Sequence, residues 1–225
     1  MIHFSTELIH PPARHDKAAL QRLYFDLAQS RAAYDNTDFT VPGQTRFHSL
    51  RGNRTQSVVS FVRDRIVLVE EWVDIPLSSF LEKVKEVASR ASEALSIPVF
   101  PLQAVTLRST FVLSHFSDAR VFLLDHVCGQ EGRIGPFFRR PILTGGLKIE
   151  LPATPEQPGD LQVTIQSFRQ GINEVFVEVR GIFNGPPITR DTLDLANANI
   201  ERVRRFITES VFPYLDQYDR PGVKG

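Results

Sequence analysis

Two histidines and two aspartates lie close together near the middle of the chain, at His115, Asp118, Asp125 and His126. If this segment is helical, Asp118 and Asp125 lie two turns apart on one face, where two carboxylates could bind a metal ion or act as an acid and a base. However, the spacing matches no known zinc motif, and His126 would point away from Asp125. We therefore expect Asp118 to cap a helix, and we assign no catalytic residue, no metal and no cofactor.

A second candidate is the segment 129–141, which contains three glycines and ends with Phe137, Phe138, Arg139, Arg140 and a proline. It belongs to a connection, 129–146, that is longer than most. Aromatic and arginine side chains often anchor protein interfaces, and arginine also binds carboxylate or phosphate. Two interpretations stay open: a partner-binding loop, or a loop whose phenylalanines fill the edge of the core while its arginines extend into solvent.

The alternation of polar and apolar residues along the expected strands indicates a third candidate, a polar sheet face. In residues 161–168, for example, Leu161, Val163 and Ile165 alternate with polar side chains, and successive strand residues point to opposite faces. If helices cover the apolar face, the other face carries a possible ligand or partner platform, made of Arg46, His48, Arg108, Gln166, Glu178 and Arg180. An ordinary solvated face of an antiparallel sheet gives the same pattern.

The elements that must position these residues follow a similar order twice. Residues 2–95 are typical of a strand, a short helix from Asp16 to about Ala33, three strands at 45–50, 56–62 and 65–73, and a longer helix for which Ser79 and Glu82 have capping-box spacing. Residues 35–36 are typical of a loop.

Residues 102–212 repeat this order, with a strand at 102–113, a short helix at 118–128 and strands at 147–151, 161–168 and 175–183. A buried strand is the alternative for residues 121–124. The last helix begins near Asp191, and Pro213 should end or kink it because proline lacks the backbone N–H. We expect the tail, 219–225, to be loose.

These elements predict an α+β fold, in which an antiparallel sheet has helices packed on one face and arises by internal duplication of a β-α-β-β-β-α unit. We expect a single domain over residues 1–225, with two pseudo-repeats at 1–98 and 99–218. The main alternative is a curved sheet that wraps one long C-terminal helix.

Composition restricts the possible functions. The chain has 26 Lys and Arg against 26 Asp and Glu, and a net charge of zero argues against nucleic acid or an anionic membrane as partner and favours association. The single cysteine, Cys128, is typical of a reducing compartment. No apolar run approaches the ~20 residues of a membrane-spanning helix, and the first residues lack a signal sequence. We expect a soluble, cytoplasmic protein.

Three segments resemble a sporadically distributed family of bacterial proteins of unknown function, whose members are about this size. They are Ala104-Val105-Thr106-Leu107-Arg108, the strand Phe176-Val177-Glu178-Val179 with Phe183, and the helix with Asn199-Ile200-Glu201 and Phe206-Ile207-Thr208-Glu209-Ser210-Val211. The resemblance implies a compact α+β protein of bacterial type, and it supplies no catalytic residues.

Our leading hypothesis is therefore a non-catalytic binding protein that works in a complex, with a protein partner or as a homo-oligomer, through the polar sheet face or the 129–146 loop. The alternative is a small-molecule binder whose ligand lies between the sheet and the long helix, held by Arg108 or Arg180. A hydrolase or transferase using His115, Asp118 and Asp125 comes next. Nucleic-acid binding would require the arginines of the loop and of the sheet face to share one surface.

Overall fold

Period-two alternation gives nine strands, which pair into one antiparallel sheet in the computed structural model, where residues 1–51, 54–72 and 74–221 are described. The first half contributes β1 (His3–Ile9), β2 (Asn36–Asp38), β3 (Gln44–Arg51), β4 (Thr55–Val62) and β5 (Arg65–Glu71). The second half contributes β6 (Leu102–Val112), β7 (Gly146–Leu151), β8 (Asp160–Ser167) and β9 (Glu174–Phe183). Their order across the sheet is β2-β3-β4-β5-β1-β6-β9-β8-β7.

Helices pack on one face of this sheet. The helices of the described residues are α1 (Lys17–Ala28), α2 (Leu77–Ala94), α3 (Ala119–Val121), α4 (Ile134–Phe138), α5 (Asp194–Phe206) and α6 (Phe212–Asp216), and α4 buries none of its residues. A π-helical segment, Phe122–Val127, continues α3, and another, Ile207–Val211, joins α5 to α6. Helix α2 contacts both α1 and α5, and α5 also lies against β6 and β9.

The core lies between the helices and the sheet because each element has one apolar face. On α2, Phe80, Val84, Val87 and Ala91 are fully buried at helical spacing. The strands bury every second residue against the helices, as in β9, where Val175, Val177 and Val179 are buried. The predicted α+β fold, with an antiparallel sheet and helices on one face, is confirmed.

The two halves meet at the centre of the sheet, where β1 pairs with β6 along its whole length, from His3↔Arg108 to Ile9↔Leu102. Outward from this pair the order is β5-β4-β3 on one side and β9-β8-β7 on the other. The order of elements therefore repeats about the β1–β6 pair, whereas an internal duplication stays a prediction. A sheet wrapped around a single C-terminal helix does not fit, because α2 and α5 share the covered face.

Several boundaries in the first half differ from the sequence-based expectation for local reasons. Helix α1 ends at Ala28, because the Ser30 hydroxyl donates to Leu27 O (2.8 Å) and accepts from Ala32 N (3.1 Å) in place of another helical turn. The expected capping box at Ser79 is wrong, since α2 already begins at Leu77 and no side chain in the described part of the chain caps it. The expected loop at 35–36 is partly wrong, since Asn36 starts β2. The strand expected at 65–73 ends at Glu71, and residue 73 lies outside the described residues.

The C-terminal region also differs. Pro213 does not end the helix, because the π-helical segment before it shifts the hydrogen-bonding pattern and Pro213 enters α6 at its first turn, where a missing N–H is tolerated. The expectation of a loose tail is wrong for Asp219, which is buried and accepts hydrogen bonds from Ser114 N and His115 N. Residues 222–225 lie outside the described residues.

Candidate functional site

The connection between α3 and β7 is a folded segment that contains helix α4. Gly129 (φ 64°) and Gly132 (φ 74°) take the left-handed backbone conformation that glycine tolerates best. The Asp125 carboxylate accepts a hydrogen bond from Gly132 N (2.8 Å), which ties the segment to the preceding π-helical turn. Sequence reasoning missed α4, because Gly135 and Pro136 lie inside it.

Helix α4 presents its aromatic side chains to solvent. Phe137 is 84% exposed and Phe138 is 65% exposed, and their ring centroids lie 5.6 Å apart in an edge-to-face arrangement. The interpretation in which these phenylalanines fill the edge of the core is therefore wrong. Other exposed apolar side chains in the same half of the chain include Val121, Leu143 and Ile172. Leu143 and Ile172 line one shallow cavity together with Arg169. We call Phe137, Phe138, Arg139, Arg140 and Leu143 the interaction loop.

Arginines of this region differ in whether their charge is neutralised. Arg120 pairs with Asp118, and Arg133 pairs with Glu131, each at 2.5 Å. Arg139 and Arg140 are exposed and form no ion pair with any residue in the described ranges. The interaction loop therefore combines two exposed aromatic rings with two uncompensated positive charges.

The residues predicted for the polar sheet face do share the face that the helices leave open. Strand register places Arg108 opposite Glu178 and Arg46 opposite Ser60, and alternation puts the remaining members, His48, Gln166 and Arg180, on that same face. The predicted geometry of this face is confirmed, whereas its role in binding stays a prediction.

Carboxylates neutralise much of the positive charge on this face. Arg108 Nε donates to Glu178 at 2.6 Å, and Glu7 accepts from Arg65 at 2.8 Å and lies 3.9 Å from Arg180. By register, the described strands place seven acidic and five basic residues on this face. The acidic residues are Glu7, Asp38, Glu71, Glu150, Asp160, Glu174 and Glu178. The basic residues are Arg46, Arg65, Arg108, Lys148 and Arg180. An acidic excess makes this face a poor surface for a phosphate backbone.

The histidine and aspartate cluster has structural partners instead of a shared centre. Asp118 caps α3 by accepting from Arg120 N (2.8 Å), as expected, and the Arg120 guanidinium holds the pKa of that carboxyl below its usual range. Asp125 holds Gly132 N. Asp118 and Asp125 line one cavity, which His115 does not join. Within residues 1–51, 54–72 and 74–221, no three His, Cys, Asp or Glu side chains gather as possible metal ligands.

The site expected between the sheet and the long helix is not built from Arg108 and Arg180, because both lie on the opposite, open face. The space between α5 and the sheet is filled by buried apolar side chains such as Val179, Ile200 and Val203. A small cavity of about 230 Å³ does lie where α5 meets the end of β7, and it is lined by Arg202 and Arg205 among others.

Sequence reasoning missed a larger cavity beside α1, whose basic lining comes from Arg14, Lys17 and Arg63. Arg63 lies far along the chain from Arg14 and Lys17, and no local pattern connects the two segments. Only the antiparallel pairing of β4 with β5 and the packing of α1 bring them together.

Comparison with known proteins adds no family to this picture. No protein-family model matches the chain, and a search of curated proteins finds no match. The resemblance to a bacterial family of unknown function therefore stays a prediction. In the part of the chain that the structure describes, no helix has both the length and the apolar character needed to cross a bilayer.

Proposed function

We propose that this protein is a non-catalytic interaction protein that binds a protein partner through the interaction loop. The observation that carries the proposal is the position of Phe137 and Phe138, which extend into solvent next to two arginines that have no carboxylate partner among the described residues. Burying one phenyl side chain contributes about 1.5–3 kcal/mol, so exposed rings are costly unless another surface covers them. Aromatic and arginine residues are also the types most enriched among interface anchors.

The charges of the loop favour a partner that carries carboxylates beside apolar side chains. Arg139 and Arg140 offer planar, bidentate donors that match carboxylate geometry. A symmetric dimer through the same surface would place the arginines of both copies near each other, because an isologous contact pairs a patch with itself. We therefore assign the loop to a different, acidic protein.

The interaction loop is a better candidate than the sheet face for a physical reason. On the sheet face, Arg108 and Arg180 lie near Glu178 and Glu7, so a ligand would have to displace internal partners. No such exchange is needed at Arg139 and Arg140. An electrostatic contribution to binding is therefore larger at the loop.

Site-specific photo-crosslinking tests the proposal. A photoreactive phenylalanine replaces Phe138 in one variant and Phe25, which is 64% exposed on α1, in a matched control. In the cells that make the protein, we expect one partner to be crosslinked from position 138 and not from position 25. The crosslinked peptide should be acidic, and Arg139→Ala/Arg140→Ala should abolish the product.

Size-exclusion chromatography with light scattering completes the test, because it reports self-association directly. Crosslinks between two copies of this chain from position 138, or equal products from positions 138 and 25, would contradict a heterologous acidic partner.

A further inference from the structure

A cavity of about 460 Å³ opens beside the first turn of α1, far along the chain from the interaction loop. Its walls come from the loop after β1, the start of α1, the connection between β2 and β3, and the ends of β3 and β4. Its lining includes Arg14, His15, Lys17, Leu20, Phe61 and Arg63. A volume in this range is typical of sites for small organic molecules. We call it the basic cavity.

The charged residues of the basic cavity all carry the same sign. Arg14, Lys17 and Arg63 line it, and no carboxylate of residues 1–51, 54–72 and 74–221 does. None of the three forms an ion pair with any residue that the structure describes. Lys17 Nζ instead lies 5.2 Å from the centroid of the Phe39 ring, a cation–π contact that holds it at the cavity wall. Three uncompensated cations around one concavity produce a positive potential that attracts anions.

Acidic residues that are near in sequence are directed to other partners. Asp16 caps α1 by accepting from Ala19 N at 3.1 Å, and Asp38 accepts from Thr40 N at 2.7 Å. Asp64 accepts two hydrogen bonds from the Arg65 guanidinium, each at 3.0 Å. The positive charge of the basic cavity is therefore left for a ligand.

An apolar floor lies beneath the charged rim. Leu20 and Phe61 are almost fully buried, so they offer only one surface to the cavity, while Phe39 is half-buried and Val41 is exposed. Apolar walls with a few well-placed polar groups are the usual composition of a small-molecule site. A ligand that fits must therefore combine an anionic group with an apolar part.

His15 adds a polar group to the wall. Its Nε2–H donates to Val62 O at 3.0 Å, since a carbonyl oxygen only accepts, and this bond fixes the ring. Nδ1 is buried and has no hydrogen-bond partner among the described residues. A buried nitrogen without a partner is uncommon in folded proteins, and the ring would have to shift before a ligand hydroxyl or a water could reach it.

We propose that the basic cavity binds a small organic anion, a carboxylate or phosphate ester with a compact apolar group. The anionic group binds Arg14, Lys17 and Arg63, and the apolar group packs on Leu20, Phe61 and Val41. The binding is non-covalent and independent of the interaction loop.

Calorimetric titration and thermal unfolding with three probes test this proposal. Phenyl phosphate and benzoate carry the two anionic groups on the same ring, and phenol is their neutral counterpart. We expect saturable binding and a raised Tm with at least one of the anions. We expect phenol to bind at least about tenfold more weakly, because it lacks the anionic group. A tenfold ratio corresponds to about 1.4 kcal/mol. The difference between the two anions identifies the preferred group.

Two variants locate the site. Arg14→Ala/Arg63→Ala removes two exposed cations from the rim, and Val41→Glu places a carboxylate in the cavity from an exposed position. Each should weaken binding at least about tenfold. Arg31→Ala/Arg220→Ala is the matched control, because it removes two exposed charges elsewhere and should leave the affinity unchanged. Equal affinity in all four proteins, equal binding of phenol, or no saturable binding of either anion would overturn the proposal.

Discussion

Asp219 acts at the scale of a single residue, because its carboxylate fixes a turn that lies 105 residues earlier in the chain. It is buried and accepts from Ser114 N at 2.6 Å and His115 N at 2.9 Å. A hydrogen bond to a charged group contributes about 1.5–3 kcal/mol to stability. We expect Asp219→Ala to lower the free energy of unfolding by this amount and Asp219→Asn, which keeps one oxygen, to lower it less. Urea denaturation measures both, and the exposed Asp216→Ala should change little.

His10 gives a pH dependence at the same scale. Burial is the main cause that lowers its pKa, and the same cause lowers the pKa of His3. In the unfolded chain a histidine takes up its proton near pH 6.5, whereas folded His10 stays neutral to lower pH. The unfolded state therefore binds more protons just below pH 6.5, and stability falls as the pH decreases through that range.

Replacing His10 isolates its share of this effect. Its Nδ1–H donates to Pro11 O at 2.8 Å, and an asparagine amide keeps a donor there without a titrating group. We expect His10→Asn to reduce the loss of unfolding free energy between pH 7.5 and pH 5.5, values chosen on the two sides of about 6.5. His3, whose pKa is also lowered by burial, should maintain part of the slope. An unchanged slope in His10→Asn would contradict this account.

At the scale of elements, a buried ion pair joins α2 to the sheet. Lys83 Nζ on α2 donates to Glu70 Oε1 on β5 and to Ser57 Oγ on β4, both at 2.7 Å, and the two charged side chains are less than a tenth exposed. Removing one partner of a buried pair leaves an uncompensated charge and costs about 3–5 kcal/mol. We expect Lys83→Met to destabilise the protein by this amount, as measured by chemical denaturation.

The paired replacement separates charge from packing. Because apolar residues of similar size can substitute for a buried pair without loss, Lys83→Met/Glu70→Leu should regain most of the stability that Lys83→Met loses. A double variant as unstable as the sum of the two single variants would contradict a direct coupling between these residues.

Sequence periodicity predicts the long elements well and the short ones poorly. Local spacing alone predicts the apolar face of α2, with Phe80, Val84, Val87 and Ala91, and the alternation in β8 and β9. Helix α4 cannot be predicted in this way. Gly135 and Pro136 are typical of loops, and a helix of five residues is too short to show a hydrophobic period. The capping box expected at Ser79 is wrong for a different reason, because Pro76 is the N-cap residue and α2 already begins after it.

Functional surfaces were predicted unevenly because they depend on tertiary structure. Alternation sufficed to place Arg108 and Arg180 on the open face, but it did not reveal their carboxylate partners on neighbouring strands. The exposure of Phe137 followed from no local rule, because phenylalanine is more often buried. The basic cavity gathers residues from five segments, and only the folded topology brings those segments together.

At the scale of the whole molecule, one continuous core runs under both halves, and the β1–β6 pair joins them. A shared core and a shared sheet favour a single cooperative transition. We expect thermal unfolding followed by Trp72 fluorescence, which reports the first half, to coincide with far-ultraviolet circular dichroism, which reports both. Two separated transitions would show that the halves unfold independently.

The central position of β1 has a consequence for synthesis. The ribosome releases β1 first and then β5, its neighbour on one side, which ends at Glu71, whereas β6, its neighbour on the other side, begins only at Leu102. Until then the nascent chain exposes a strand edge whose backbone groups lack partners, and such an edge can recruit other chains. Between the translation of residues 9 and 112, β1 lacks at least one of its two neighbouring strands. We therefore expect the nascent chain to depend most on chaperones during this interval.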